Sequence, residues 1–208
     1  MTQVRYPIVE LRQYTLRSGQ RDVLIELFDR ELVESQEAAG MAVVGQFRDL
    51  DRPDMFVWIR GFASMPSRAT ALASFYGGQH WKAHSAAANA TMIDSDDVLL
   101  LRPTEVPHPP PPSHGPAWGL GQVWHPHPDL ETAHATLERI LDTPVAVWRT
   151  EHSENTFPQL PVRDGDHVVW LATFTDETRW AEAEHRLTTD PSWHPPGPAE
   201  WLRLLPSG

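Results

Sequence analysis

An α+β fold of two tandem ferredoxin-like halves, each ordered βαββαβ, is predicted by three observations. The stretch Phe56-Val57-Trp58-Ile59-Arg60-Gly61-Phe62 returns in altered form as Val168-Val169-Trp170-Leu171-Ala172-Thr173-Phe174. The same succession of strand and helix patterns surrounds each copy. A segment rich in proline, Pro103 to Pro116, separates them and reads as a stiff extended linker. The expected organisation is a first domain over residues 1–103, a linker over 104–116 and a second, divergent domain over 117–208.

In chain order, Ile8 to Leu16 reads as a strand with Val9 and Leu11 on one face and Glu10, Arg12 and Tyr14 on the other. Leu24, Leu27, Phe28 and Leu32 then recur at helical spacing until Gly40 offers a C-terminal cap. Met41 to Asp49 is a second strand, and Asp51-Arg52-Pro53-Asp54 turns it into the third, Phe56 to Phe62, as a hairpin. Ser64 is placed to cap a helix that carries Leu72, Phe75 and Tyr76 and ends at Gly77-Gly78. A further helical piece from about Gln79 to Ala88 puts His80 and His84 on one face beside Trp81, and Asp97 to Pro103 is a strand stopped by proline. The second half repeats the order: strand Trp118 to Trp124, helix from about Asp129 to Leu141, strands Val145 to Thr150 and His167 to Phe174, helix from about Asp176 to Leu187, and strand Trp201 to Leu205. The connection Glu151 to Gly165 is far longer than a hairpin needs.

Composition narrows the function classes. With 40% hydrophobic residues, 9 Trp and 7 Phe among 208 residues, the chain can build a packed core. A formal net charge of −11 argues against binding to nucleic acid phosphates. The absence of cysteine excludes disulfides, thiolate metal sites and a cysteine nucleophile. No apolar run is long enough for a signal peptide or a membrane span, so a soluble, cytoplasmic protein without a membrane partner is expected.

The residues IVELRQYTL at 8–16, GMAVVGQFRDL at 40–50, FVWIRGF at 56–62, FYGGQHWKAH at 75–84 and ANATMIDSDDVLLLRP at 88–103 resemble the NIPSNAP family. The second half is similar through its strand pattern and ENTFPQLPVRDG at 154–165. The resemblance implies the dimeric α+β-barrel type of ferredoxin-like fold, in which two sheets face each other, within the chain or between subunits, with helices outside. It also implies a homodimer or higher homo-oligomer. Proteins of similar fold include cofactor-free monooxygenases, isomerases, cyclases and haem-dependent aldoxime dehydratases, so the fold alone names no reaction.

If the helices cover Val9, Leu11, Val43, Phe47, Val57 and Ile59, then Glu10, Arg12, Tyr14, Gln46, Arg48, Trp58 and Arg60 face the barrel interior. Aromatic walls and arginines that grip a carboxylate or enolate would then bind a small, partly apolar organic molecule. In the enzyme reading Arg60 and His84 are catalytic, as charge stabiliser and proton shuttle, and Arg12, Tyr14, Gln46, Arg48, Trp58 and Trp81 bind substrate, with Asn155 and Arg163 reaching in from the second half. The reaction class would be cofactor-free oxygenase, isomerase or lyase. The competing readings are a non-catalytic binding or interaction module, in which Glu10 simply pairs with Arg12 or Arg60, and a haem-dependent lyase or peroxidase-like enzyme. No cofactor is predicted; haem or a metal at His80 or His84 is the alternative. His125 and His127 read as turn residues, and Gly119-x-Gly121 lacks the rest of a dinucleotide fingerprint. Arg60 corresponds to Ala172 in the second copy, whereas Trp58 and Phe62 recur as Trp170 and Phe174, which points to the first half as the seat of function.

Overall fold

The computed structural model describes residues 6–106, 117–125, 129–195 and 197–208. Most of the proline-rich segment, with His108 and His114, and also His127, lie outside the described residues. The strands are β1 (Ile8–Leu16), β2 (Ala42–Asp49), β3 (Met55–Phe62), β4 (Met92–Asp94), β5 (Val98–Pro103), β6 (Trp118–Trp124), β7 (Val145–Thr150), β8 (Val168–Phe174) and β9 (Ala199–Pro206). The helices are α1 (Arg21–Leu27), α2 (Val33–Ala38), α3 (Met65–Gly77), α4 (Gln79–Thr91), α5 (Leu130–Leu141) and α6 (Glu177–Thr189).

Local chemistry sets these bounds. Ser64 caps α3 in a reciprocal box with Ser67, and Asp129 and Asp176 accept backbone N–H groups at the starts of α5 and α6. The single helix expected between Asp22 and Gly40 is instead interrupted by a π-helical turn, Phe28–Leu32, where the Val33 N–H donates to the Phe28 carbonyl five residues back. The widened turn keeps both Phe28 and Leu32 buried. β4, which the sequence pattern did not predict, is three residues long and pairs with the end of β1.

Eight strands close in the order β3-β2-β9-β6-β8-β7-β5-β1, with β1 returning to β3, and every described pairing is antiparallel. In the first half β1 lies between β3 and β5, with β2 beyond β3; in the second β6 lies between β8 and β9, with β7 beyond β8. The seams are β2 with β9 and β5 with β7, so the barrel closes within one chain.

The two faces of the sheet are the reverse of the sequence expectation. Val9, Leu11, Phe47, Val57 and Ile59 pack with Leu99, Leu101, Val123, Val169, Leu171, Leu202 and Leu204 in the barrel interior. Tyr14, Phe56, Trp58 and Phe62 pack instead with Leu24, Phe28, Leu72 and Phe75 of the helical layer. Thus Arg12, Tyr14, Trp58 and Arg60 lie between sheet and helices, not inside the barrel. A closed barrel buries both faces of its strands, so polarity does not mark the inner one, and side chains, here mostly aliphatic, fill the interior of an eight-stranded barrel. A bulge between Val43 and Gly45 adds to the error: Val43 joins the helix-side cluster while Phe47 points inward.

Gly121 shows how tight the interior is. A Cβ there would collide with the Trp170 carbonyl oxygen and sit 3.2 Å from Leu171 Cδ1. The G-x-G pair of β6 therefore serves close strand approach. Gly121→Ala is expected to destabilise the fold by about 1–3 kcal/mol through overpacking; a thermal melt within one degree of the parent would contradict this.

Candidate functional site

The site grows from the register of β1 on β3. Glu10 lies opposite Arg60, Arg12 opposite Trp58 and Tyr14 opposite Phe56, so alternation alone brings an acid, two guanidiniums and three rings onto one helix-covered face. α3 adds Arg68, which shares its buried stripe with Ala71, Leu72 and Phe75. An arginine on the apolar face of a helix requires a buried partner, and Glu10 is that partner.

Three guanidiniums converge on the one carboxylate. Arg12 Nη1 and Arg60 Nε each donate to Glu10 Oε2 at 2.7 Å, and Arg68 Nε donates to Oε1 at 2.6 Å. Glu10, Arg60 and Arg68 are 0% exposed and Arg12 is 1%. Burial alone would raise the pKa of Glu10, but Arg60, Arg12 and Arg68 outweigh it and hold the carboxyl far below the ordinary range. Arg12 Nε also donates to the Tyr14 hydroxyl at 3.0 Å, and burial pushes that phenol upward. Trp58 is held between Arg12 and Arg60, whose Cζ atoms lie 5.6 and 5.2 Å from its ring.

Charge is not balanced here. Three cations face one anion, and no other carboxylate among the described residues pairs with them. Arg68 Nη2 and Trp58 Nε1 are buried without a hydrogen-bond partner among the described residues. Since each buried ion costs several kcal/mol in lost solvation, an uncompensated surplus of positive charge needs an anion.

The long connection from the second half covers this centre. Arg68 Nη1 donates to Asn155 Oδ1 at 3.0 Å and reaches Thr156 Oγ1 at 3.3 Å. Phe157, Leu160 and Val162 pack on the hydrophobic cluster of this half, Phe157 stacks on Tyr76, and Trp81 meets Tyr76 edge-on. Arg163 lies elsewhere, at one mouth of the barrel, bound to Asp97 at 2.6–2.8 Å and to Glu200 at 3.2 Å.

Of the residues expected from sequence, Arg12, Tyr14, Trp58 and Arg60 meet at one centre, with Asn155 on it and Trp81 in the adjoining aromatic group. Gln46 lies opposite Trp58 in the register, its Oε1 unpartnered among the described residues. Arg48 is outside the site: it donates to Asp22 and to the Pro206 and Ser207 carbonyls. His84 contacts Glu31 at 3.4 Å, and its ring lies tilted against that of His80, 4.7 Å between centroids. Sequence reasoning missed Arg68, Thr156 and the buried Gln36, whose Oε1 accepts from Arg60 Nη1 at 3.4 Å; only Arg68 carried a signal, its place on an apolar helix stripe. A cleft of about 330 Å³ lies away from this centre, lined by Thr104, Leu130, His134 and Arg149 among others.

The corresponding positions of the second half are uncharged. Opposite pairs Glu10/Arg60 and Arg12/Trp58 of β1 and β3 have as counterparts Leu120/Ala172 and Gln122/Trp170 of β6 and β8. Arg68, four residues past the cap Ser64, has as counterpart Trp180, four past the cap Asp176. Gln122 Oε1 there accepts from both Trp124 Nε1 and Trp170 Nε1.

A mixed α+β fold with an eight-stranded antiparallel barrel, helices outside it and a charged centre beneath the helices of one half defines the structural class. The NIPSNAP family model matches residues 9–107, so the chain carries a NIPSNAP domain reaching from β1 past β5. A NIPSNAP family protein from Agrobacterium tumefaciens is 25% identical over 48% of this chain and 94% of its own, with a TM-score of 0.45. Whole-chain likeness is found to a proposed monooxygenase from Lactobacillus acidophilus, 11% identical over 98% of this chain and 95% of that one, TM-score 0.59. Another from Fusobacterium nucleatum is 9% identical over 99% and 94%, TM-score 0.60. These two show a shared fold. No curated protein matches the sequence. Among the described residues, no helix is long and apolar enough to cross a membrane.

Proposed function

We propose that the chain is a small-molecule-binding protein of two tandem ferredoxin-like halves, whose ligand presents an anionic oxygen to the arginine centre of the first half. The observation that carries this reading is the contrast between halves. The second half builds the same strand pairings with Leu120, Gln122, Ala172 and Trp180 where the first has Glu10, Arg12, Arg60 and Arg68. The second half thus reaches the same strand pairings without a charged set.

A carboxylate or enolate would meet the free Arg68 Nη2 and Trp58 Nε1, while the apolar body of the ligand lies among Phe28, Tyr76, Trp81 and Phe157 under the 151–165 connection. As an enzyme, the protein would stabilise charge that develops on an oxygen, which suits a cofactor-free oxygenase, isomerase or lyase acting on a partly apolar substrate. The names of the two whole-chain relatives fit the first of these. Glu10 is then an anchor for the arginines and not a base, because its depressed pKa leaves it little affinity for a proton. Tyr14, which accepts from Arg12, keeps its own O–H to donate. The filled barrel interior favours one second reading, a binding module without catalysis.

Native mass spectrometry of the protein as purified, followed by calorimetric titration with benzoate, salicylate and related aromatic carboxylates, tests the proposal. One member of the series is expected to bind, and Arg68→Ala to weaken it roughly 10- to 100-fold through loss of a charge-assisted contact. Arg149→Ala, at the separate cleft, is expected to leave affinity unchanged. Absence of binding below millimolar concentration, or Arg68→Ala lowering stability with affinity intact, would overturn the site. The same spectrum reads the homodimer expected for the assembly.

A further inference from the structure

We propose that Glu31, His80 and His84 form a divalent metal site of the zinc, cobalt or nickel type on the outer helical layer, independent of the arginine centre. His80 and His84 stand four residues apart on α4, one turn of helix, and Glu31 faces them from the π-helical turn. His84 Nε2 lies 3.4 Å and His80 Nε2 3.7 Å from the same oxygen, Glu31 Oε2, and all three ligand atoms fall within 4.8 Å of one another. Two ligands bound at about 2.0–2.1 Å in tetrahedral geometry are separated by about 3.3–3.4 Å. Two imidazoles and one carboxylate at that spacing are a borderline-metal donor set. Three protein ligands leave a fourth position for water or another small ligand, the pattern of reactive rather than purely structural zinc. The ring nitrogens are too close to the carboxylate to seat a haem plane, so a single ion is the occupant.

Two further features support the assignment. The carboxylate is already oriented: Arg30 Nε donates to Glu31 Oε1 at 3.0 Å, which turns Oε2 toward the imidazoles as an outer-shell partner does in metal centres. The π turn is the second. It sets Glu31 against α4: the Glu31 carbonyl, which accepts from Ser35 Oγ at 2.9 Å, lies 2.7 Å from His80 Nε2, a contact that a bound metal would replace. Loading requires both rings as Nδ1–H tautomers, with the His80 contact to that carbonyl exchanged for the metal bond. With His80 48% exposed and His84 28%, an ion has direct access from solvent.

Titration of the untagged full chain with Co²⁺ by visible absorption and with Zn²⁺ by calorimetry tests the site. One equivalent is expected to bind in the micromolar range or tighter, and Zn²⁺ to raise the melting temperature. His84→Ala and Glu31→Gln should each weaken binding at least 100-fold, Arg30→Ala roughly 10-fold, and His152→Ala not at all. Glu31→Gln preserves shape, so its result stands even if an alanine variant folds poorly. Binding weaker than millimolar, or affinity unchanged in both His84→Ala and Glu31→Gln, would overturn the proposal.

Discussion

Glu10→Gln is expected to lower the melting temperature by about 10 °C or more. The substitution removes the one anion at a centre where three buried guanidiniums converge at 2.6–2.7 Å. Breaking a buried ion pair by deleting one partner costs about 3–5 kcal/mol, because the remaining charge is left desolvated and unpaired. For a chain of this size each kcal/mol moves the melting temperature by roughly 2–4 °C. Gln retains the shape of Glu, so loss of packing is not a competing cause. A shift below about 2 °C would show that water or ligand already compensates the arginines.

The same variant reports the linkage. The folded-state pKa of Glu10 is depressed below its unfolded value, so its contribution to stability is fully present above the ordinary glutamate pKa of about 4.3. It is lost as pH falls from there toward the folded value. The stability gap between parent and Glu10→Gln should therefore stay constant from pH 7 to 5, then shrink by up to about 1.4 kcal/mol per pH unit. Urea melts of both proteins at several pH values measure that difference, in which the other carboxylates cancel.

Element order and most boundaries could be read from the sequence because turn chemistry and periodicity agree locally: Ser64, Gly40 and the Asp51–Asp54 turn all act where the pattern places them. The strand face could not be read. Apolar alternation tells which residues share a side, but in a closed barrel both sides are dry, and only the helices decide which is outer. The helix stripes, with Leu24, Phe28, Leu72 and Phe75, match the aromatic face of β1 and β3, and that match is a property of the packed layers. The gathering of Arg12, Tyr14, Trp58 and Arg60 was legible because it depends on register alone. Arg68 and the approach of Asn155 and Thr156 depend on tertiary placement of a helix and a loop from the other half. The π turn that sets Glu31 against His80 and His84 leaves no recognisable mark in composition.

Replacing the charged set by its second-half counterparts, as Glu10→Leu, Arg12→Gln, Arg60→Ala and Arg68→Trp together, should separate architecture from function. Glu10→Leu alone leaves three buried guanidiniums without a carboxylate, whereas the four together remove every ion of the cluster at once. Well-packed apolar replacements of buried ion pairs are often neutral or stabilising, since the solvation cost of the ions disappears with them. Leu120, Gln122 and Ala172 of the strands and Trp180 of α6 already fill the corresponding buried positions, with Trp180 Nε1 donating to the Gly119 carbonyl at 2.8 Å. The quadruple variant is expected to melt well above Glu10→Gln, within several degrees of the parent, and to bind none of the aromatic carboxylates that the parent binds. Differential scanning calorimetry and the titration series supply the two readouts. If it melted below Glu10→Gln, the guanidinium cluster would be part of the first half's architecture, and the contrast between halves would no longer argue for a ligand. If it kept its carboxylate affinity, the anion would be held elsewhere.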